Sequence, residues 1–339
     1  MSLALWKDLR AKKFAQNYVL VGEETFLRER TGQLIIDNAL LPDELDFNLS
    51  VIDLEETPIE QAVEAMETAP FLGERRVVIL KNAMFLTGAT SRGEKVNHHV
   101  ERLITYLDNP VDFTIAVFVV PYEKLDSRKK VTKALVKAAT VFQAKPLKEA
   151  ELVRWVQDLA DQSSVKISRE VAEAFVYRTG TNLQMIEREF EKVTLHISYG
   201  EAITAALIEQ VVSLSLEQNV FSLVEKIVQG HKHEAIQMYR ALLIQKEEPI
   251  KILALIARQY RIYVQVKYLI GAGYGATQMA SKLKMSPYPV KLAMEQLRKA
   301  NFTEEYLLMR LDELAEIDFK LKTGYGDRDM QLELFILKN

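Results

Sequence analysis

A phosphate-binding loop is the first chemistry to look for, because the apolar stretch Tyr18–Val21 ends at Gly22 and a helical pattern follows it. Such loops hold nucleotide phosphates on backbone N–H groups at a helix N-terminus. Compared with the pattern GxxxxGK[ST], the sequence keeps only the first glycine and has Leu27, Arg28 and Glu29 at the other positions. Leucine adds a side chain where the backbone must approach a phosphate, and a carboxylate repels it.

The magnesium-binding carboxylate of nucleotide-hydrolysing sites is also missing from its usual place. It normally follows a buried strand, but the apolar run Val77–Leu80 is followed by Lys81 and Asn82. We therefore expect a nucleotide-binding topology without ATP hydrolysis, with an unusual mode of nucleotide binding as the alternative.

No catalytic residue, cofactor or metal is predicted. The sequence has no cysteine and five histidines, which leaves few ligands for zinc. His98 and His99 are adjacent, and on a helix they would point about 100° apart.

The residues from Thr57 to Glu60 carry the signals of a helix N-terminus. Thr57 as N-cap, Pro58 at the first helical position and Glu60 three residues after the cap predict a capping box. The apolar residues recur at helical spacing until Pro70 ends the helix, and they predict one buried stripe: Ile59, Ala62, Val63 and Met66.

Phe71 and Leu72 follow this helix and precede the charged residues Glu74 and Arg75. Two interpretations stay open from the residues alone. The pair could tuck under the sheet, as apolar residues at such corners usually do. Alternatively, it could project as a two-residue plug into an apolar pocket of a partner. Burying both side chains would contribute roughly 3 to 6 kcal/mol.

The first 145 residues alternate short β-branched and aromatic runs with amphipathic helical segments, which is typical of a parallel sheet covered by helices. The predicted strands are Tyr18–Val21, Phe47–Ile52, Arg76–Leu80, Phe113–Val120 and Val141–Ala144. After Pro146 the strand signal disappears, and the apolar spacing is helical to about Val212 and again from about Asn219.

Length and composition narrow the class of protein. The 339 residues, 48% of them hydrophobic, are enough for two or three domains. A formal net charge of -3 argues against a dedicated nucleic-acid binder. The apolar run Thr114–Val120 is much shorter than the roughly 20 residues of a membrane helix. We expect a cytoplasmic protein with no membrane partner.

The sequence resembles the delta subunits of the bacterial DNA polymerase III clamp loader, of the type found in Gram-positive bacteria. The resemblance covers essentially the whole chain and rests on the order and spacing of several motifs. These are Tyr18–Leu27, Pro70–Arg76, Asp126–Lys130, Gly180–Leu183 with Glu189, Tyr288–Lys291 and Asp318–Gly324.

The resemblance implies an α/β plus all-α fold in three parts. Residues 1–145 would form an AAA+-like parallel-sheet domain without a working phosphate loop, 146–214 a three-helix lid domain, and 215–339 a helical collar domain. The implied function is that of a non-hydrolysing subunit of a DNA-directed DNA polymerase (nucleotidyltransferase) holoenzyme. It would bind and open the sliding clamp, through Phe71 and Leu72, for loading onto primed DNA during DNA replication.

The same resemblance implies partners. They are the sliding clamp, the ATPase and delta-prime subunits of the loader, which would bind through the collar, and primed DNA within the complex. Basic residues with helical spacing are candidates for DNA phosphate contacts, although they are equally compatible with a solvated helix face: Arg128, Lys129, Lys130, Lys133 and Lys137. The alternatives to the leading function are a degenerate AAA+-type ATPase and a free-standing DNA-binding protein.

Overall fold

The computed structural model describes residues 2–71, 73–89, 96–285, 287–300, 302–325 and 328–338. The chain forms two compact units, Met1–Pro146 and Leu147–Asn339.

The first unit is built on a five-stranded sheet in which every adjacent pair of strands is parallel. The strand order is β2-β3-β4-β1-β5. The strands are β1 (Asn17–Val21), β2 (Leu49–Asp53), β3 (Arg76–Lys81), β4 (Thr114–Val120) and β5 (Thr140–Gln143). The helices are α1 (Ser2–Arg10), α2 (Thr25–Ala39), α3 (Leu45–Asn48), α4 (Ile59–Glu67), α5 (Val100–Asp108) and α6 (Lys130–Ala138).

Helices cover both faces of this sheet, which explains why its central strands are almost continuously apolar. Val19, Val78 and Phe118 share one core with the buried faces of α4, α5 and α6. Leu20 points to the opposite face, and its side chain lies against Gly32 of α2. The predicted fold class, a parallel sheet with helices followed by a helical region, is confirmed.

The predicted strands agree with the observed ones to within about two residues. The difference that matters is at the start of the second strand, which was expected to begin at Phe47. Instead, Phe47 and Asn48 lie in the single turn α3, and β2 begins at Leu49. Phe47 is exposed, whereas Asn48 is fully buried, so the apolar residue faces outward and the polar one inward, the reverse of what a half-buried strand predicts.

The predicted capping box at the start of α4 is wrong, although the buried stripe of the helix is confirmed. Pro58 is the N-cap residue, and no side chain caps the helix from that position. The N–H of Ile59 instead donates to Nδ1 of His98 at 3.1 Å. Glu60 lies 3.6 Å from His99 and does not close a box with Thr57. A residue about forty positions away supplies the acceptor that local sequence assigned to threonine.

The second unit is almost entirely helical. Its helices are α7 (Glu149–Gln162), α8 (Arg169–Thr179), α9 (Leu183–Thr194), α10 (Ala205–Val211), α11 (Leu216–Val228), α12 (Lys232–Ile244), α13 (Pro249–Gly271), α14 (Ala276–Leu283), α15 (Pro287–Ala300), α16 (Glu304–Thr323) and α17 (Arg328–Leu337). Two short parallel strands, β6 (Lys166–Ile167) and β7 (Ala202–Ile203), pair with each other.

The stretch expected to be a three-helix lid is described throughout, and it contains the four helices α7–α10 together with β6 and β7. The predicted helix count is therefore wrong, and a two-residue strand is too short to leave a signal in the sequence pattern. The division of this unit at residues 214 and 215 into lid and collar stays a prediction.

The helical spacing predicted beyond residue 215 is confirmed by one large apolar core. It includes Val224 of α11, Ile252 and Ile256 of α13, and Leu314 of α16. On the exposed side of α16, Asp318 and Lys322 lie four residues apart and form an ion pair at 2.7 Å. In the described ranges, no helix combines the length and apolar character needed to cross a bilayer.

Candidate functional site

The loop between β1 and α2 lies where a phosphate-binding loop would lie. Its backbone N–H groups, which would bind a phosphate, donate instead to acceptors within the same chain. Gly22 has φ of 139°, and a Cβ added there would lie 2.0 Å from the carbonyl oxygen of Ala144. The N–H of Gly22 donates to Val120 O at 3.2 Å, and that of Glu24 donates to Ala144 O at 3.0 Å. The Glu24 carboxylate accepts the N–H of Phe26 at 3.3 Å, so it caps α2 where an anion would otherwise sit.

Arg28 occupies the position of the phosphate-binding lysine and is directed back into the same loop. Its guanidinium donates through Nη1 to the carbonyl oxygen of Gly22 and through Nη2 to Thr25 Oγ1 at 3.1 Å. The side chain is buried, and burial lowers the pKa of Arg28 from its usual value. The one positive charge that the sequence kept at this loop thus binds the loop itself.

The strand β3 ends at Lys81 and is followed by Asn82, so neither position supplies a carboxylate. Asn82 follows the strand with φ of 56° and donates to both carboxylate oxygens of Asp53, at 3.1 and 2.9 Å. Asp53, at the end of β2, also accepts the N–H of Glu55 at 2.9 Å. The carboxylate of Asp53 is therefore held by a side-chain amide and a turn.

Phe71 lies on the surface, with 58% of the residue exposed, so the interpretation that it tucks under the sheet is wrong. Its neighbour in the predicted pair, Leu72, lies outside the described residues. The ring of Phe71 packs against that of Phe47 with centroids 5.2 Å apart and planes tilted by 49°. Phe47 is itself 55% exposed. Two aromatic rings from separate segments therefore form one apolar surface, which we call the Phe47–Phe71 surface.

Asn48 fixes the backbone beneath this surface. The N–H of Phe71 donates to Asn48 Oδ1 at 2.7 Å, and Asn48 Nδ2 donates to the carbonyl oxygen of Phe71 at 2.8 Å. One buried amide thus satisfies both polar backbone groups of an exposed residue.

Two further contacts hold the same corner. Gly73 has φ of 153°, and a Cβ there would lie 2.4 Å from Glu44 Oε1 and 3.3 Å from Asn48 Nδ2. Arg76, at the start of β3, donates to the carbonyl oxygen of Phe47 at 3.3 Å and to Ser50 Oγ at 2.8 Å. The segment around Phe71 is therefore joined to α3 and β2 on more than one side.

The basic residues near α6 separate into two groups. Arg128 binds the carboxylate of Asp126 through two nitrogens, at 2.9 and 2.8 Å, and this contact holds the pKa of Asp126 well below its usual range. Lys129 donates to the carbonyl oxygens of Phe85 and Thr87 at 2.8 and 2.6 Å. The remaining three lysines are exposed on α6: Lys130, Lys133 and Lys137.

Sequence patterns did not identify Phe47 and Asn48 as part of this corner. Phe47 looked like the first residue of a buried strand, and a single asparagine gives no periodic signal. A hint was present in Pro42 and Asp43, which favour a turn just before a stretch too short to be a full helix.

Comparison with known proteins gives consistent matches over nearly the whole chain. Residues 18–145 match the family model described as "DNA polymerase III, delta subunit". Residues 217–339 match the model described as "DNA polymerase III delta subunit, C-terminal domain".

A full-length relative and a solved structure agree with these models. The chain is 43% identical over 338 residues to the DNA polymerase III subunit delta of Bacillus subtilis (strain 168), an alignment that covers 100% of this chain and 96% of the relative. A solved structure of the Bacillus subtilis DNA clamp loader delta protein matches with a TM-score of 0.69 and 43% identity. That match covers 100% of this chain and 99% of the solved one.

Proposed function

The chain belongs to the DNA polymerase III delta-subunit family, and from this membership we propose that it binds and opens the sliding clamp without hydrolysing ATP. Its place is then in the clamp loader that acts during DNA replication, as a non-catalytic subunit of the polymerase holoenzyme. The observation that carries the proposal is Phe71, an exposed aromatic residue whose backbone is fixed from both sides.

An exposed ring on a fixed backbone suits insertion into a pocket of a partner. Large apolar side chains at the centre of an interface commonly provide most of its binding free energy. A fixed backbone reduces the conformational entropy lost on binding, because the ring is already presented in one position. In this proposal Phe71 and Leu72 enter the clamp, and the binding free energy favours the open form of the ring.

The loop at Gly22 supports the non-hydrolysing part of the proposal. Phosphate binding needs free backbone N–H groups and a lysine that reaches the phosphate oxygens. Here the N–H groups of Gly22 and Glu24 and the guanidinium of Arg28 donate to acceptors of the chain itself. Opening and resetting of the clamp would then depend on ATP hydrolysis by other subunits of the loader.

The further partners proposed are the ATPase and delta-prime subunits, bound through residues 215–339, and primed DNA within the assembled complex. For DNA, the exposed lysines of α6 fit better than Arg128 or Lys129, whose charged groups already bind Asp126 and two carbonyl oxygens. Such phosphate contacts would be independent of sequence. The cytoplasm is the proposed location.

The test is binding of the purified chain to its cognate sliding clamp, measured by surface plasmon resonance. The double variant Phe71→Ala plus Leu72→Ala is compared with Leu195→Ala plus Tyr199→Ala, which removes two apolar residues that are 83% and 87% exposed in the second unit. Binding lost only in the first variant, with both variants folded by circular dichroism, supports the proposal. No binding by the wild type, or equal loss in both variants, contradicts it.

The degenerate ATPase alternative is tested separately by titrating ATP and magnesium into the chain in a calorimeter. The proposed function predicts no measurable heat of binding and no phosphate release. Saturable ATP binding that is lost in Arg28→Ala would favour the alternative.

A further inference from the structure

Asn48 connects two segments that are far apart in the sequence, and its side chain has an unusual role for a buried residue. It is fully buried at the end of α3, yet both hydrogen bonds of its amide go to the backbone of the exposed residue Phe71. A buried amide left without partners is costly, so this side chain strongly favours the one position of the Phe71 backbone that satisfies it.

From these contacts we infer that Asn48 is a positioning residue for clamp binding, which holds the Phe71 backbone in its binding-competent conformation before the clamp arrives. The inference rests on the proposed function, because it takes Phe71 as a residue that enters the clamp. Asn48 itself, being buried, does not touch the partner.

The surrounding contacts explain why the amide has this influence. The segment at residue 71 is a bend between α4 and β3, with no strand hydrogen bonds at Phe71. Gly73 has a positive φ, and a Cβ there would meet Glu44, so the chain passes close to the residues before α3. Arg76 fixes the other end by binding the carbonyl oxygen of Phe47. Phe71 precedes both of these points in the chain, and Asn48 supplies the hydrogen bonds that fix it.

The expected loss of clamp affinity on substitution of Asn48 depends on the fraction of molecules in the binding-competent conformation. The apparent dissociation constant equals the intrinsic one divided by that fraction. If removal of both hydrogen bonds lowers the competent fraction to about one tenth, binding weakens about tenfold. The loss of affinity should appear mainly as slower association, because fewer molecules are ready to bind. The contacts between Phe71 and the clamp are unchanged once the complex has formed.

The experiment uses the full chain with the variants Asn48→Leu, which removes both hydrogen bonds, and Asn48→Asp, which keeps only the acceptor for the Phe71 N–H. The matched control is Asn17→Leu, because Asn17 is equally buried in the same unit and its Nδ2 donates to Ala138 O at 3.4 Å. Each protein is measured by hydrogen exchange with mass spectrometry and by association and dissociation rates with the cognate clamp.

We expect faster exchange confined to the peptide that contains Phe71, and clamp binding weaker by about tenfold in Asn48→Leu. The loss in Asn48→Asp should be at least as large, because its buried carboxylate would face the carbonyl oxygen of Phe71. The Asn17→Leu control should keep wild-type values of both. Asn48→Asp keeps the size of the side chain, so it carries the test alone if Asn48→Leu does not fold.

Two outcomes overturn the inference while leaving the proposed function in place. One is wild-type clamp binding by the folded Asn48 variants when Phe71→Ala has lost it. The other is an equal loss of clamp binding in Asn17→Leu, which would show a general effect of destabilisation. If Phe71→Ala itself binds the clamp like the wild type, the proposed clamp site fails and the inference fails with it.

Discussion

Replacing Phe71 with alanine is expected to weaken binding to the sliding clamp by about 5- to 30-fold, and the exposure of the residue sets this magnitude. Full burial of a phenylalanine side chain contributes about 1.5 to 3 kcal/mol. Because Phe71 is 58% exposed in the free chain, somewhat more than half of that amount remains for a partner to supply. This leaves about 1 to 2 kcal/mol, where 1.4 kcal/mol corresponds to a factor of ten.

The same substitution should change the stability of the free chain only slightly. The ring contact with Phe47 is lost, and an aromatic pair contributes about 0.5 to 1.5 kcal/mol. Both rings are more than half exposed, so the lower end of that range applies. Unfolding in urea, followed by circular dichroism, measures this change and separates it from the effect on binding.

Clamp binding is best measured by surface plasmon resonance with Phe71→Ala, Phe47→Ala and the double variant. If the ring pair is the same in the free chain and in the complex, its energy cancels and the two single effects on binding will add. A coupling of about 0.5 to 1.5 kcal/mol will show instead that the clamp separates the two rings on binding. The control Tyr199→Ala removes a more exposed ring in the second unit and should bind like the wild type. A Phe71→Ala protein that is folded and binds with wild-type affinity would refute the reasoning.

Substitutions of four other residues follow from the structure. Burial lowers the pKa of His98 below its ordinary value of about 6.5, so the neutral ring stabilises the fold. The free energy of unfolding should therefore be constant above about pH 6.5 and decrease as the pH falls towards the pKa of His98 in the folded state. The decrease should be smaller in the variant His98→Gln. Gly22→Ala should destabilise the first unit by about 2 to 4 kcal/mol in urea unfolding, because its Cβ would lie 2.0 Å from Ala144 O. Lys129→Ala should cost about 1 to 2 kcal/mol of stability through two lost hydrogen bonds, whereas Lys133→Ala should leave stability within about 0.5 kcal/mol. Lys133→Ala should instead lower the salt slope of DNA binding by the assembled loader by about 1.

The expectations for His98, Gly22 and Lys133 each have a result that contradicts them. An equal acid-induced loss of stability in wild type and His98→Gln would remove His98 as the cause. A Gly22→Ala protein with wild-type stability would show that the loop relaxes away from Ala144. An unchanged salt slope in Lys133→Ala would argue for a solvated helix face at α6.

The absence of the phosphate-loop pattern is visible in the sequence, because Leu27, Arg28 and Glu29 stand where the pattern has glycine, lysine and a hydroxyl residue. The parallel sheet was also predictable, since strands such as β1 and β4 are buried on both faces and their sequences are continuously apolar. The apolar stripe of α4 follows from helical periodicity in the same way.

The tertiary structure decided what surrounds those features. That Arg28 binds Gly22 O, that His98 accepts the first N–H of α4, and that Lys129 binds two carbonyl oxygens could not be inferred from local patterns. The contact of Asn48 with Phe71 joins residues 23 positions apart, and it fixes the backbone of an exposed aromatic residue after the end of α4. Sequence periodicity reports which face of an element is buried. The partner of a single polar side chain depends on how distant segments meet, and only the folded chain brings them together.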